Sequence, residues 1–96
     1  MTLHCLYALP GSDAAGRCLA ALAPGDALLL LSAATRLACP AHPELSRWLN
    51  SGAALHALDE DLGAHGIDAA AAGVTVIDYA GWVALSLRLQ RQQNWA

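Results

Sequence analysis

The run Asp26-Ala27-Leu28-Leu29-Leu30-Leu31 follows Pro24-Gly25 and is apolar without a break from Ala27 onward. A strand with one wet face alternates apolar and polar side chains, whereas a strand covered by helices on both faces does not. The run therefore predicts the central strand of a parallel α/β sheet. It is far shorter than the roughly 20 apolar residues needed to cross a bilayer, so no membrane partner is expected.

The segments around it repeat the alternation of strand and helix. Thr2 to Leu9 is short and apolar and is stopped by Pro10-Gly11. Ser12 or Asp13 is placed to cap a helix reaching to about Ala23, with Cys18, Leu19 and Leu22 near one face. From Ser32 to Pro43 the two prolines Pro40 and Pro43 argue for a loop, and Pro43 to Leu49 reads as a short helix ended by Asn50-Ser51-Gly52. Ala54 to Leu58 is the next strand. Asp59-Glu60-Asp61 puts acids at a helix start, where free amides favour negative charge, and Gly66 closes that helix after His65. Asp68 to Gly73 carries no clear signal. Val74 to Ile77 is a β-branched strand, Asp78 a cap, and Tyr79 to about Gln92 a helix. Its apolar residues Trp82, Val83, Leu85, Leu87 and Leu89 wrap more than one face, so it is expected to meet both the sheet and a neighbouring subunit. Together these elements predict an α/β class: one doubly wound domain over residues 1–96 with a mainly parallel sheet flanked by helices. Binding is expected at the carboxyl ends of the strands, around Pro10-Gly11, Ser32 to Cys39, Asp59 to Asp61 and Asp78-Tyr79.

Composition narrows the function. Apolar residues make up 56% of the chain and charged ones only 14%, which points to a surface partly covered by another subunit; the abundance of alanine weakens that inference, because alanine buries little area. The net charge is −3, lysine is absent, and Arg17, Arg36, Arg47, Arg88 and Arg91 form no run. Phosphate backbones are bound by concentrated cations, so no direct contact with nucleic acid is expected. The first basic residue is Arg17, which fits no secretory leader, and three irregularly spaced cysteines suit a reducing compartment. A cytoplasmic protein is expected.

A sulfur-carrying thiol must be reachable and partly ionised. Cys18 has Arg17 beside it but stands mid-helix, and packing toward the core is the competing reading. Cys5 lies in a strand and reads as a packing residue. Cys39, in the proline-flanked segment, is the cysteine expected to be most exposed, with no activating neighbour in the sequence. Cys39 and His42 stand three apart without a second ligand pair, so no metal is expected. Pro10-Gly11-Ser12-Asp13 lacks the P-loop lysine and the Gly-x-Gly-x-x-Gly spacing, and no cofactor is expected. Among Trp48, Trp82 and Trp95, the position of Trp95 suits an interface better than a core; Tyr79 and Trp82 are the other interface candidates.

Three segments carry a resemblance: Gly25-Asp26 with the leucine run, Ala57-Leu58-Asp59-Glu60-Asp61-Leu62-Gly63-Ala64-His65-Gly66, and Ile77-Asp78-Tyr79 continuing to Trp95. Their order and spacing, with Leu3-His4 ahead of them, resemble the TusB/DsrH family of small sulfur-relay subunits. The resemblance implies assembly with TusC/DsrF-like and TusD/DsrE-like subunits as a dimer of heterotrimers. It implies persulfide sulfur received from an upstream carrier and passed to a downstream one, toward 2-thiolation of the tRNA wobble uridine. DsrH-type members work instead in sulfur oxidation and carry a cysteine in the first helix, where Cys18 falls here; the main acceptor cysteine of such complexes lies on the TusD/DsrE-like subunit. The chain departs from the family pattern at Cys5, where threonine is common, and at Ala33-Ala34, where Asp-Gly is common. The expected role is an accessory, non-catalytic subunit with Cys18 as candidate sulfur acceptor; a stand-alone cysteine persulfide sulfurtransferase and a simple interaction module remain the alternatives.

Overall fold

The computed structural model describes residues 1–96. In chain order the elements are β1 (Thr2–Leu6), α1 (Asp13–Ala21), β2 (Ala27–Leu30), a 3-10 helix (Ser32–Ala38), α2 (Leu45–Leu49), β3 (Ala54–Leu58), α3 (Asp59–Ala64), β4 (Val74–Ile77), α4 (Tyr79–Arg88) and β5 (Arg91–Trp95). The strands form one sheet in the order β4-β3-β2-β1-β5, and every neighbouring pair is parallel. The doubly wound α/β fold expected from the leucine run is the fold observed.

That order explains where the helices lie. From β1 through β4 the chain steps steadily toward one edge, and Leu6, Leu28, Leu30, Leu55 and Ala57 pack on that side against Ala15 and Cys18 of α1, Ala34 and Leu37 of the 3-10 helix, Trp48 of α2 and Leu62 of α3. The chain then jumps back across the sheet to place β5 beside β1. A right-handed crossover that travels the other way must pass over the other face. Leu85 and Leu89 of the α4 segment accordingly pack against Leu3, Cys5, Ala27, Leu29 and Leu58. One sheet face is thus covered by four short helical elements and the other by α4 alone. The leucines of β2 fill both cores, which is why that strand shows no alternation.

Local chemistry sets the boundaries. Ser12 caps α1, its Oγ accepting from the Ala15 N–H at 3.2 Å, and Asp78 caps α4, its Oδ1 accepting from the Gly81 N–H at 2.8 Å. Three expectations are corrected. The segment from Ser32 is not a loop: Ala34, Thr35, Leu37 and Ala38 are buried, and the Thr35 hydroxyl donates to the Ser32 carbonyl at 2.6 Å, drawing the chain into a tight 3-10 helix. The first strand ends at Leu6 rather than near Leu9. The last helix stops at Arg88, not Gln92, because Leu89 turns into the core and Arg91–Trp95 pairs with β1 from Thr2↔Arg91 to Leu6↔Trp95.

Candidate functional site

The carboxyl ends of β3 and β4 gather four of the chain's eight acidic residues and an aromatic pair. Asp59, Glu60 and Asp61 form the first turn of α3, directly after β3, and Asp78-Tyr79 opens α4 directly after β4. Asp61 reaches across to the end of β2, where its Oδ2 accepts from the Ser32 N–H at 2.7 Å. Ser32 holds φ at +51°, the one non-glycine residue with positive φ, and this bond helps to fix that turn. Tyr79 stacks on Trp82 with ring centroids 6.2 Å apart and planes within 19°. The negative charge of Glu60, with Asp61 and Asp59 behind it, pushes the exposed Tyr79 phenol above its ordinary value. Tyr7, just beyond β1, is likewise raised, by burial first and then by Cys5 and Asp61. The strand ends therefore present an acidic rim beside an aromatic pair.

α4 extends this rim with apolar surface. Its inward residue Leu85 is buried, as is Leu89 just after it, whereas Tyr79, Val83 and Leu87 are 53%, 57% and 80% exposed. Their spacing of four residues aligns them along one outer stripe. The sequence reading that α4 carries apolar residues on more than one face holds: one set faces the sheet and the other faces outward.

The sequence from residue 10 to 92 matches the family model described as "DsrH like protein". The chain belongs to the DsrH-like family. Protein TusB of Photorhabdus laumondii is 36% identical over 75 residues, which cover 77% of this chain and 79% of that protein. The resemblance read from the leucine run, the acidic segment and Ile77-Asp78-Tyr79 is thereby established.

Within this DsrH-like fold the three cysteines are free and differ sharply in environment. Cys18 has no exposed surface; it lies in the core beneath α1, and burial, reinforced by the charge of Cys5, pushes its thiol up to about 12. Cys5 is equally buried, and its thiol rises to about 11 because burial outweighs a hydrogen bond with Trp82. A neutral, enclosed thiol is a poor sulfur nucleophile. The candidate acceptor Cys18 is thus fully enclosed in the core. Cys39 is partly exposed and lines an open cavity with Arg36, His42 and His65.

The three interface candidates do not form one surface. Tyr79 and Trp82 belong to the α4 side, whereas Trp95 packs against the core on the opposite side of the sheet. Its indole Nε1 donates to His4 Nδ1 at 3.1 Å, and the two rings stack 6.2 Å apart. Neither this pairing nor the Arg36-Cys39-His42-His65 cavity was visible in sequence, since each depends on how separate segments fold together. No group of three or more His, Cys, Asp or Glu residues is arranged to hold a metal ion, and no helix is long and apolar enough to cross a membrane.

Proposed function

We propose that this DsrH-like chain is an accessory, non-catalytic subunit of a cytoplasmic sulfur-relay complex that passes persulfide sulfur toward 2-thiolation of the tRNA wobble uridine. The observation that carries this reading is the outward stripe of Tyr79, Val83 and Leu87 beside an acidic rim, on the one helix that covers its sheet face. A contiguous apolar strip rimmed by charge is a surface suited to another protein chain. The partners proposed for it are TusC/DsrF-like and TusD/DsrE-like subunits, in a dimer of heterotrimers that also exchanges sulfur with upstream and downstream carriers. The burial of Cys18 favours an accessory role over a stand-alone sulfurtransferase built on that residue. The scattered arginines and net negative charge favour contact with tRNA through partners.

The test is native mass spectrometry of the chain purified through a tag from its own host, with 2-thiouridine quantified in tRNA from a strain lacking the gene. Two small co-purifying subunits in equal ratio and loss of 2-thiouridine are expected. A lone chain overturns the subunit reading. Intact thiolation with partners present moves the complex to sulfur oxidation, the DsrH-type role.

A further inference from the structure

We infer that Cys39 is the thiol through which this chain takes up sulfur, accepting a sulfane sulfur atom from a persulfide donor in the cavity it shares with Arg36, His42 and His65. The nature of the donor rests on the relay-subunit reading; the site itself rests on geometry. Cys39 is the one cysteine with accessible surface. Three successive turns bring its neighbours round: the Cys39 N–H donates to the Arg36 carbonyl at 3.2 Å, the His42 N–H to the Cys39 carbonyl at 3.0 Å, and the Leu45 N–H to the His42 carbonyl at 3.3 Å. The 3-10 helix ends at Ala38 and Cys39 is extended, and these turns leave Arg36, Cys39 and His42 lining one open cavity of about 550 Å³ together with Pro43, His65, Gly66 and Ile67.

The lining suits an anionic sulfur chain. Arg36 forms no salt bridge, the ion pairs of the protein being His4 with Asp26 and Arg47 with Glu44, so its guanidinium is free to serve the cavity. His42 Nδ1 accepts from the Glu44 N–H at 3.1 Å, which puts the proton of the neutral ring on Nε2 and leaves that N–H as a donor. Guanidinium and imidazole N–H groups are strong partners for an anion. In the step itself, the Cys39 thiolate attacks the outer sulfur of R–S–SH. A new S–S bond forms to Cys39, the donor's S–S bond breaks, its electron pair leaves on R–S⁻, and the proton stays on the terminal sulfur of Cys39–S–SH. No oxidant or reductant is consumed. Cys39 acts as the nucleophile, and Arg36 and His42 act as positioning residues.

The experiment exposes the full chain to glutathione persulfide, caps the thiols and digests with trypsin. Cleavage after Arg17, Arg36 and Arg47 leaves Cys5, Cys18 and Cys39 on separate peptides. The expected result is a gain of one sulfur atom on the Leu37–Arg47 peptide alone, retained in Cys18→Ala and lost in Cys39→Ser. In the Cys18→Ala background, Arg36→Gln slows labelling several-fold and Arg36→Lys largely restores it. Modification of Cys18 with Cys39 untouched overturns the inference, as does an unchanged rate in Arg36→Gln. Partner capture is scored separately: partners present with Cys39 unmodified removes this site and leaves the relay reading, whereas Cys39 modified in a chain that purifies alone supports the site and removes the relay reading.

Discussion

Trp95 and His4, 91 positions apart in the chain, share a 3.1 Å hydrogen bond in which the indole donates to Nδ1. The bond fixes the imidazole tautomer, so that Nε2 carries the hydrogen and donates to Asp26 Oδ2 at 3.0 Å. Asp26 also accepts from the Thr2 N–H at 2.9 Å and the Ala23 N–H at 3.1 Å. One polar chain thus runs from β5 through β1 to the start of β2. Removing its donor should be felt: Trp95→Phe keeps an aromatic ring against His4 but leaves Nδ1 unpartnered, at a cost of about 1–2 kcal/mol, read as a lower urea midpoint with an unchanged slope.

The carboxylate at the centre of that chain should make stability depend on acid. Burial works against the Asp26 charge, but the donors from Thr2, His4 and Ala23 together outweigh it and hold the carboxyl below its ordinary value. A group whose folded value is depressed contributes stability that is complete above the unfolded value, about 4, and is lost as pH falls through the folded one. Asp26→Asn should cost about 2 kcal/mol at neutral pH and should flatten the acid limb below about pH 4. Urea titrations of both proteins from neutral to acid pH check this.

Thiol reactivity should separate the three cysteines. With thiols raised to about 12 and about 11 by burial, Cys18 and Cys5 stay protonated and shielded at neutral pH. Native protein should alkylate only at Cys39, and unfolded protein at all three. Cys18→Ser, which buries a hydroxyl, should cost about 1–3 kcal/mol, more than Cys18→Ala; thermal melts decide the order.

Gly81→Ala tests a clash that helix preference alone would miss. Alanine in a helix interior ordinarily gains up to about 1 kcal/mol over glycine. Here an added Cβ would stand 2.9 Å from the Ile77 Cβ, a branch point that no rotamer change can move away. A net loss of about 1–3 kcal/mol is expected, measurable by denaturant unfolding, with the change localised to the β4–α4 junction by hydrogen exchange.

Charges placed on the outer stripe should separate assembly from folding. Val83→Lys and Leu87→Lys alter side chains that are 57% and 80% exposed, so stability should move by no more than about 0.5 kcal/mol. Co-purification of partner subunits should be lost. An unchanged complex would place the interface elsewhere.

How much of this was legible in the sequence depended on whether burial left a mark. The leucines of β2 and the β-branched β4 announced themselves, and so did the cap Asp78 and the acids opening α3, because apolar runs and capping residues act locally. β5 did not: Arg91-Gln-Gln-Asn-Trp has almost no apolar content, lies at a sheet edge, and is a strand because β1 offers a free row of amides and carbonyls. Extending α4 through it was the natural reading of the preceding apolar residues. The 3-10 helix was hidden for a similar reason, since Ser-Ala-Ala-Thr lacks a helical stripe and is held by burial and the Thr35 hydroxyl. Cys18 carried only an ambiguous signal, a small residue beside an arginine, and its distance from solvent became clear once α1 was laid on the sheet. Arg36, His42 and His65 looked unrelated while they were spread over thirty positions.

The strand order also bears on how the protein is made. Of the five strands β1 is translated before the others, yet one of its two neighbours, β5, is translated after the rest. Until Arg91–Trp95 has left the exit tunnel, the oldest strand keeps an open row of hydrogen-bonding groups that another nascent chain could pair with. Pairing of Arg91–Trp95 therefore sets the moment at which β1 is covered and the open edge passes to β5, a strand of mostly polar residues.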